Sequence, residues 1–358
     1  MPAHILFPAL PDLGFFTPVL AIGVVVVLGA GLCACLIVVL LPLFQRYALA
    51  RPNARSSHVI PTPQGGGLAV IVASLSLFFI LDTVLNPAPL TLSLFVVIGA
   101  ALLLLCLGGV DDVKPLPALP RFLLQTLLIG LVLSFPQQEG RLLPDMVPLW
   151  GEKTLIALAL LWFVNLVNFM DGIDLITSAQ MIPLWGLIAT TALLHQDLAF
   201  TLFSLCLIGA LLGFVGFNWP PARLFLGDMG SLPLGLLSGW ALVQIAAQTS
   251  IAVAIIPVLY YGTDATLTLG QRLRRREKIW LAHRSHAYQR ACQNGQSGLS
   301  VVARIGATNS LLAILAGLAL WIRQDHTHPL LIDSAALGLA CILVWVLLKS
   351  LNARAVVH

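Results

Sequence analysis

The sequence predicts an all-α, polytopic integral membrane protein of about eleven transmembrane helices, and two observations carry that reading. Of the 358 residues, 59% are hydrophobic and only 9% are charged, whereas a soluble domain carries about 25% charged residues. Apolar runs of roughly 20 residues also recur from end to end, each long enough to cross about 30 Å of hydrocarbon. No polar stretch is large enough to fold as a separate soluble unit, so residues 1–358 read as a single polytopic membrane domain.

The expected spans are 16–42, 66–84, 91–110, 120–135, 153–168, 178–195, 198–217, 230–247, 251–269, 302–322 and 329–350. The first is expected to be a retained helix. No Lys or Arg precedes Arg46, and a secretory signal would open on a basic segment. The fourth and fifth spans are the shortest. This count sorts the 19 Lys and Arg residues unevenly: only Arg141, Lys153 and Arg323 fall on one side, and the rest on the other. Basic residues accumulate on the cytoplasmic side, so the N-terminus is expected to be periplasmic and the C-terminus cytoplasmic. The expected cytoplasmic loops are about 43–65, 111–119, 169–177, 218–229 and 270–301. Five of the six cysteines lie in apolar runs with no CxxC pair, which favours packing over disulfide or metal roles.

The acidic residues divide by character. On the expected outer side they are scattered through short loops. On the inner side Asp111, Asp112, Asp171, Asp174, Asp228, Asp264 and Glu277 sit mostly at helix ends among Gly, Asn and Pro. That is where a membrane enzyme would meet a water-soluble substrate.

Five segments carry the candidate chemistry. The first inner loop contains Arg55 and His58 and then Pro61-Thr62-Pro63-Gln64-Gly65-Gly66-Gly67. A glycine-rich turn opening a helix offers N–H groups to a phosphate; the plainer reading is a basic flank and a tight turn. The third span ends in Gly108-Gly109-Val110-Asp111-Asp112. Adjacent carboxylates at a membrane boundary repel each other and resist desolvation, so they need a cation or donors nearby. One would then serve as a base and the other as a metal or donor partner. The fifth span ends in Asn165, Asn168, Asp171 and Asp174, whose spacing of three forms a loose polar stripe on one helical face. Asn218 opens the next segment, which carries Asp228 between glycines at a helix start. Asp228 there would either hold Mg²⁺, which favours one or two carboxylates plus substrate phosphates, or act as an N-cap. The last loop joins a basic run, Arg272 to Lys278, to Ala282-His283-Arg284-Ser285-His286-Ala287-Tyr288-Gln289-Arg290. The basic run reads as an anionic-lipid contact, and the His-Arg-Ser-His stretch as a grip for a diphosphate or a base. Asp264, near the end of the ninth span, is either functional or a partner of Arg272 or Arg274.

In this order the segments resemble the polyprenyl-phosphate N-acetylhexosamine-1-phosphate transferases, the superfamily of the MraY-type and WecA-type enzymes (glycosyltransferase 4). The matching blocks are residues 52–67, 108–112, 165–174, 217–231 and 282–290. The RSSH and HRSHAYQR forms look most like the WbpL-type initiators of O-antigen synthesis. Two departures stand out: Leu175 follows Asp174 where the family often has Gly, and Val59 follows His58 where some branches carry a basic residue.

The resemblance implies a bacterial inner-membrane phosphoglycosyltransferase with its active site on the cytoplasmic face. It would move an N-acetylhexosamine 1-phosphate from a UDP-sugar to undecaprenyl phosphate, releasing UMP, as the initiating step of O-antigen, lipopolysaccharide or other envelope-glycan synthesis. Mg²⁺ is implied, with Mn²⁺ as a substitute. Asp228 resembles the metal ligand, and Asp111 and Asp112 the base and charge-positioning pair. Asp171 and Asn168 match site-lining positions and Asp174 a nucleotide-side position. His283, Arg284 and His286 resemble diphosphate or uridine contacts, with Arg55, His58 and Asn218 as further substrate-binding positions. No nucleic-acid partner is expected, and a homodimer is compatible with the reading.

The rival reading is an ion-coupled membrane transporter, since carriers also use intramembrane acids and broken helices. Carriers hold key charges near the midplane and often repeat two halves. Here the acids gather at one face.

Overall fold

A computed structural model describes residues 16–50, 61–86, 88–135, 141–144, 146–277, 283–323 and 328–353. Among these residues the regular structure is helical, apart from one two-residue strand pair and an isolated parallel bridge between Gln64 and Phe225. Ten helical segments are long and apolar enough to cross a membrane, and an eleventh apolar helix has 17 residues. The helices are α1 (Phe16–Tyr47), α2 (Gly66–Leu85), α3 (Leu92–Val113), α4 (Ala118–Ser134), α5 (Leu149–Met170), α6 (Ile176–Leu194) and α7 (Leu198–Asn218). They continue as α8 (Asp228–Gln248), α9 (Ile251–Ile255), α10 (Leu259–Arg274), α11 (Ala287–Gln293), α12 (Gly298–Arg323) and α13 (Pro329–Asn352).

The expected count of about eleven therefore holds, and the departures have physical causes. The fifth helix begins at Leu149, not 153, because the buried Glu152 enters its first turn neutralised by Arg141, Nε to Oε2 2.9 Å. The third runs on to Val113, so Asp111 and Asp112 lie within its last turn rather than beyond it. The ninth span is broken into α9, a 3₁₀ turn at Ile256–Val258, and α10. Pro257 sits at that break, where a ring without an N–H interrupts the helical ladder. Gln180 of α6 donates its amide to the Pro257 carbonyl at 3.0 Å, satisfying a backbone group that lipid could not.

α8 is the most enclosed span, packed by α3 and α5 and touched by α2 and α6, while α7 packs against α1, α2 and α6. β1 (Leu49–Ala50) and β2 (Thr62–Pro63) pair antiparallel, Leu49 opposite Pro63 and Ala50 opposite Thr62. Arg55 and His58 lie outside the described residues. The aspartate-bearing ends of α3 and α5, and the start of α8, meet at one end of this bundle.

Candidate active site

The site forms where the end of α3 meets the start of α8. Gly108 permits that approach, because a Cβ there would overlap the Asp228 backbone. Asp112 Oδ1 then accepts the Asp228 N–H at 3.0 Å and Oδ2 accepts the Met229 N–H at 3.1 Å. The first N–H groups of a helix lack intrahelical partners and form the positive end of its dipole. Asp112 is thus a capping carboxylate lent by another helix, and Asp228 is the capped residue rather than the cap. Gly227 makes the turn at φ 75, and a Cβ on it would strike the Asp112 carboxylate.

The glycine-rich segment has a different place from the phosphate cradle the sequence suggested. Gly66 and Gly67 donate their N–H groups to the Phe225 and Leu226 carbonyls, both at 2.9 Å. Gln64 donates its side-chain amide to the Asp112 carbonyl at 2.7 Å. These backbone donors are spent on fixing the loop that delivers Asp228.

The cation of the site is Arg121, which the sequence reading used only as a topology marker. It stands in the first turn of α4, ion-pairs with Asp111 and reaches Asp228 Oδ2 at 3.3 Å. Asp111 Oδ1 also accepts the Leu116 N–H at 2.6 Å. The available signal was a basic residue opening an apolar helix nine positions after Asp112.

The polar stripe on α5 divides its work. Asn165 donates to Gln125 Oε1 on α4 at 2.8 Å. Asn168 donates to Asp228 Oδ1 at 2.7 Å and to the Ser231 hydroxyl at 2.9 Å. Asp171, just past the helix, accepts the Thr177 hydroxyl at 2.6 Å. Burial pushes its carboxyl up to about 7; the Thr177 bond opposes this, and Asp112 and Asp174 add to it.

Asp174 and Asn218 hold loops together. Asp174 Oδ2 accepts the Ala222 N–H at 3.1 Å. Asn218, expected to face substrate, is buried and spends both ends of its amide internally: Oδ1 accepts the Leu175 N–H at 2.7 Å, and Nδ2 donates to the Leu224 carbonyl at 2.9 Å. Leu175 has φ 67, the left-handed region where glycine is favoured. The turn survives the substitution noted in the sequence, held in part by that bond.

The histidine segment approaches from α10 and α11. His283 lies 2.9 Å from the Ser285 hydroxyl through Nδ1, with its ring 4.8 Å from that of His286. Burial, then His286 and Arg272, hold His283 down to about 4, so it is neutral at physiological pH. His286 is buried rather than presented to solvent. Arg284 is half-buried, with its Nε unpartnered. Asp264 is spent on the Ala287 N–H and on Tyr260 and Thr268, while Arg272 pairs with Glu277 at 2.8 Å.

Asp111, Asp112, Asp171, Asp228 and Asn168 therefore come together. Among the described residues, no three His, Cys, Asp or Glu side chains close around one point as a metal cage. The donor set is carboxylate oxygen, suited to a hard divalent cation, and the described contacts give these acids one guanidinium, Arg121.

Fold and site together define an integral membrane enzyme whose polar chemistry is confined to the ends of its helices. Residues 94–246 match the model of glycosyl transferase family 4. The chain is 27% identical to the probable undecaprenyl-phosphate N-acetylglucosaminyl 1-phosphate transferase of Bacillus subtilis, over 80% of this chain and 84% of that one. It is 26% identical to the decaprenyl-phosphate N-acetylglucosaminephosphotransferase of Mycobacterium leprae, over 83% of each. It is 30% identical to the phospho-N-acetylmuramoyl-pentapeptide-transferase of Deinococcus radiodurans, over 64% of this chain and 76% of that one. The chain belongs to glycosyl transferase family 4, the MraY/WecA superfamily of membrane phosphosugar transferases.

Proposed function

We propose that the protein transfers an N-acetylhexosamine 1-phosphate from a UDP-sugar to undecaprenyl phosphate at the cytoplasmic face of the bacterial inner membrane. An acceptor phosphate oxygen attacks the sugar-bearing phosphorus of the donor, a new P–O–P bond forms, and UMP leaves with the electron pair of the broken bond. The observation that carries this reading is the convergence of Asp111, Asp112, Asp171 and Asp228 at one end of the bundle, with Arg121 set on Asp111 and Asp228. The 16-to-3 bias of basic residues supports the cytoplasmic placement.

Phosphoryl transfer between anions is chiefly a problem of positioning and of charge. Asp228, with Asp111 beside it, fits as the ligand of Mg²⁺, which when bound supplies Lewis-acid neutralisation of the phosphate oxygens. Arg121 holds Asp111 and Asp228 in place, and Asn168 orients Asp228 from the other side. Asp112, with both oxygens on the α8 backbone, sets the position of Asp228. Asp111 is held by the Leu116 N–H and by the side chain of Arg121, and as the base that keeps the acceptor phosphate deprotonated it would exchange the Arg121 contact for the phosphate. Neutral His283 and the Arg284 guanidinium would meet the nucleotide diphosphate. A polyprenyl acceptor also accounts for an enzyme built entirely of apolar helices. Its place would be the initiating step of O-antigen or another envelope glycan.

The test is UMP release by detergent-purified protein with undecaprenyl phosphate, Mg²⁺ and a panel of UDP-N-acetyl sugars. Metal-dependent release with one sugar, falling about 10³-fold or more in Asp228→Asn, supports the reading and identifies the donor. A folded protein that releases UMP from no sugar refutes it.

A further inference from the structure

The end of α5, which carries Asn168 and Asp171, and the histidine loop lie more than a hundred residues apart in the chain, and one buried hub joins them. Asp264 on α10 is 2% exposed. It accepts the Ala287 N–H through both oxygens, at 2.9 and 3.1 Å, and the hydroxyls of Tyr260 and Thr268, each at 3.2 Å. Its Oδ1 also faces His286 Nδ1 at 3.6 Å. His286 Nδ1 makes no hydrogen bond of its own, and the carboxylate stands beside it.

The hub continues toward the aspartates. The His286 ring stacks on Tyr288, centroids 5.7 Å apart and planes 12° from parallel. The Tyr288 hydroxyl donates to the Phe169 carbonyl at 3.3 Å, one residue after Asn168 and two before Asp171. Gly172 leaves the hydroxyl its space, since a Cβ there would overlap it. Tyr261 adds a parallel tie, its hydroxyl donating to the Ile176 carbonyl at 3.0 Å at the start of α6. Burial keeps Tyr288 protonated, and so a donor.

We propose that Asp264 and Tyr288 are positioning residues that fasten the His283–His286 loop to the end of α5, fixing the distance between the nucleotide contacts and the carboxylates. The inference rests on the reading of His283, Arg284 and His286 as donor-nucleotide contacts. A loop already held in place loses little freedom when the nucleotide binds, and a released loop must be ordered at every binding event. The effect therefore falls on nucleotide affinity and not on the acceptor lipid.

The experiment is steady-state kinetics of Tyr288→Phe, Asp264→Asn and the double variant beside the parent, with undecaprenyl phosphate, Mg²⁺ and the UDP-sugar selected above. KM for the UDP-sugar and the inhibition constant of UMP should rise about tenfold in Asp264→Asn and about threefold in Tyr288→Phe. kcat and KM for undecaprenyl phosphate should stay within about twofold, and the double variant should be no worse than Asp264→Asn, because both act through one loop. Tyr288→Phe keeps the buried ring and decides the matter if Asp264→Asn lowers the melting temperature severely. An active parent with unchanged UDP-sugar KM in Tyr288→Phe, or a loss confined to kcat, overturns the proposal and leaves the transferase reading intact. A parent that neither turns over any donor nor binds UMP overturns both.

Discussion

The two ends of the helical bundle treat acidic residues differently. At the end far from the site, each described pair is self-contained: Glu152 with Arg141 at 2.9 Å, and Asp333 with Arg323 at 2.8 Å. In these two pairs the arginine lies close in sequence and ties a loop or a helix start, while Asp82 and Asp197 at the same end are satisfied by the Asn86 amide at 2.8 Å and the Phe200 N–H at 2.9 Å. At the other end Asp111 and Asp228 share Arg121, Asp112 leans on a helix N-terminus, and Asp171 is held by a hydroxyl. Matched pairs stabilise and are finished. An unmatched cluster costs stability when desolvated and makes physical sense where a cation and a phosphorylated substrate complete it.

Removing Arg121 should sharpen this contrast most. Arg121→Gln takes away the cation seen on Asp111 and Asp228 and makes the cluster more anionic. UMP release per unit KM should fall about 100-fold, while the Mg²⁺ concentration for half-activation should fall, since a more negative site attracts a divalent ion more strongly. Arg121→Lys should recover part of the rate, limited by the loss of the planar fork. A Mg²⁺ requirement that rises, or does not move, would show that Arg121 merely braces α4 and that the site is no more unmatched than the far end.

The helices were legible in the sequence because a span cannot hide its apolar length in lipid. The boundaries were not, wherever a charge enters a helix with a tertiary partner: Glu152 with Arg141, and Asp111 with Arg121. The site aspartates stood out for the same reason in reverse, as acids at the ends of apolar runs. Their division of labour was invisible. Nothing in the order Gly-Asp-Met-Gly tells that Asp228 is capped by Asp112, or that Asn218 is a loop anchor, because both depend on which distant backbone comes within 3 Å. Leu175 shows the converse: the sequence flagged the position, and the structure supplied its left-handed backbone.

A finer probe of the unmatched end uses pH. Burial holds the Asp171 carboxyl at about 7 in the fold, against about 3.9 in an unfolded chain. The folded state therefore binds this proton more tightly. Its contribution is complete below about pH 4 and is lost as pH rises through 7. Asp171→Asn avoids the loss. In Mg²⁺-free detergent its stability relative to the parent should grow from pH 4 to pH 7 and level off above, reaching on the order of 2 kcal/mol once water access to the half-buried carboxyl is allowed for. A pH-independent difference would mean that Asp171 is as well matched as the acids of the far end.

The smallest expected effect lies at that far end, and it tests the contrast from the opposite side. Arg323 on α12 and Asp333 on α13 form a bidentate pair, Nη1 to Oδ1 and Oδ2 at 3.0 and 2.8 Å, partly open to the surroundings. Arg323→Ala should lower stability by about 1 kcal/mol or less and leave the UDP-sugar KM, the Mg²⁺ requirement and kcat unchanged. Exchanging the partners, Arg323→Asp with Asp333→Arg, should restore the melting temperature, because the pair needs only opposite charges across one helix–helix junction. If either variant instead changed the Mg²⁺ requirement, the two ends would be coupled through α12, and the division between finished pairs and an open site would fail.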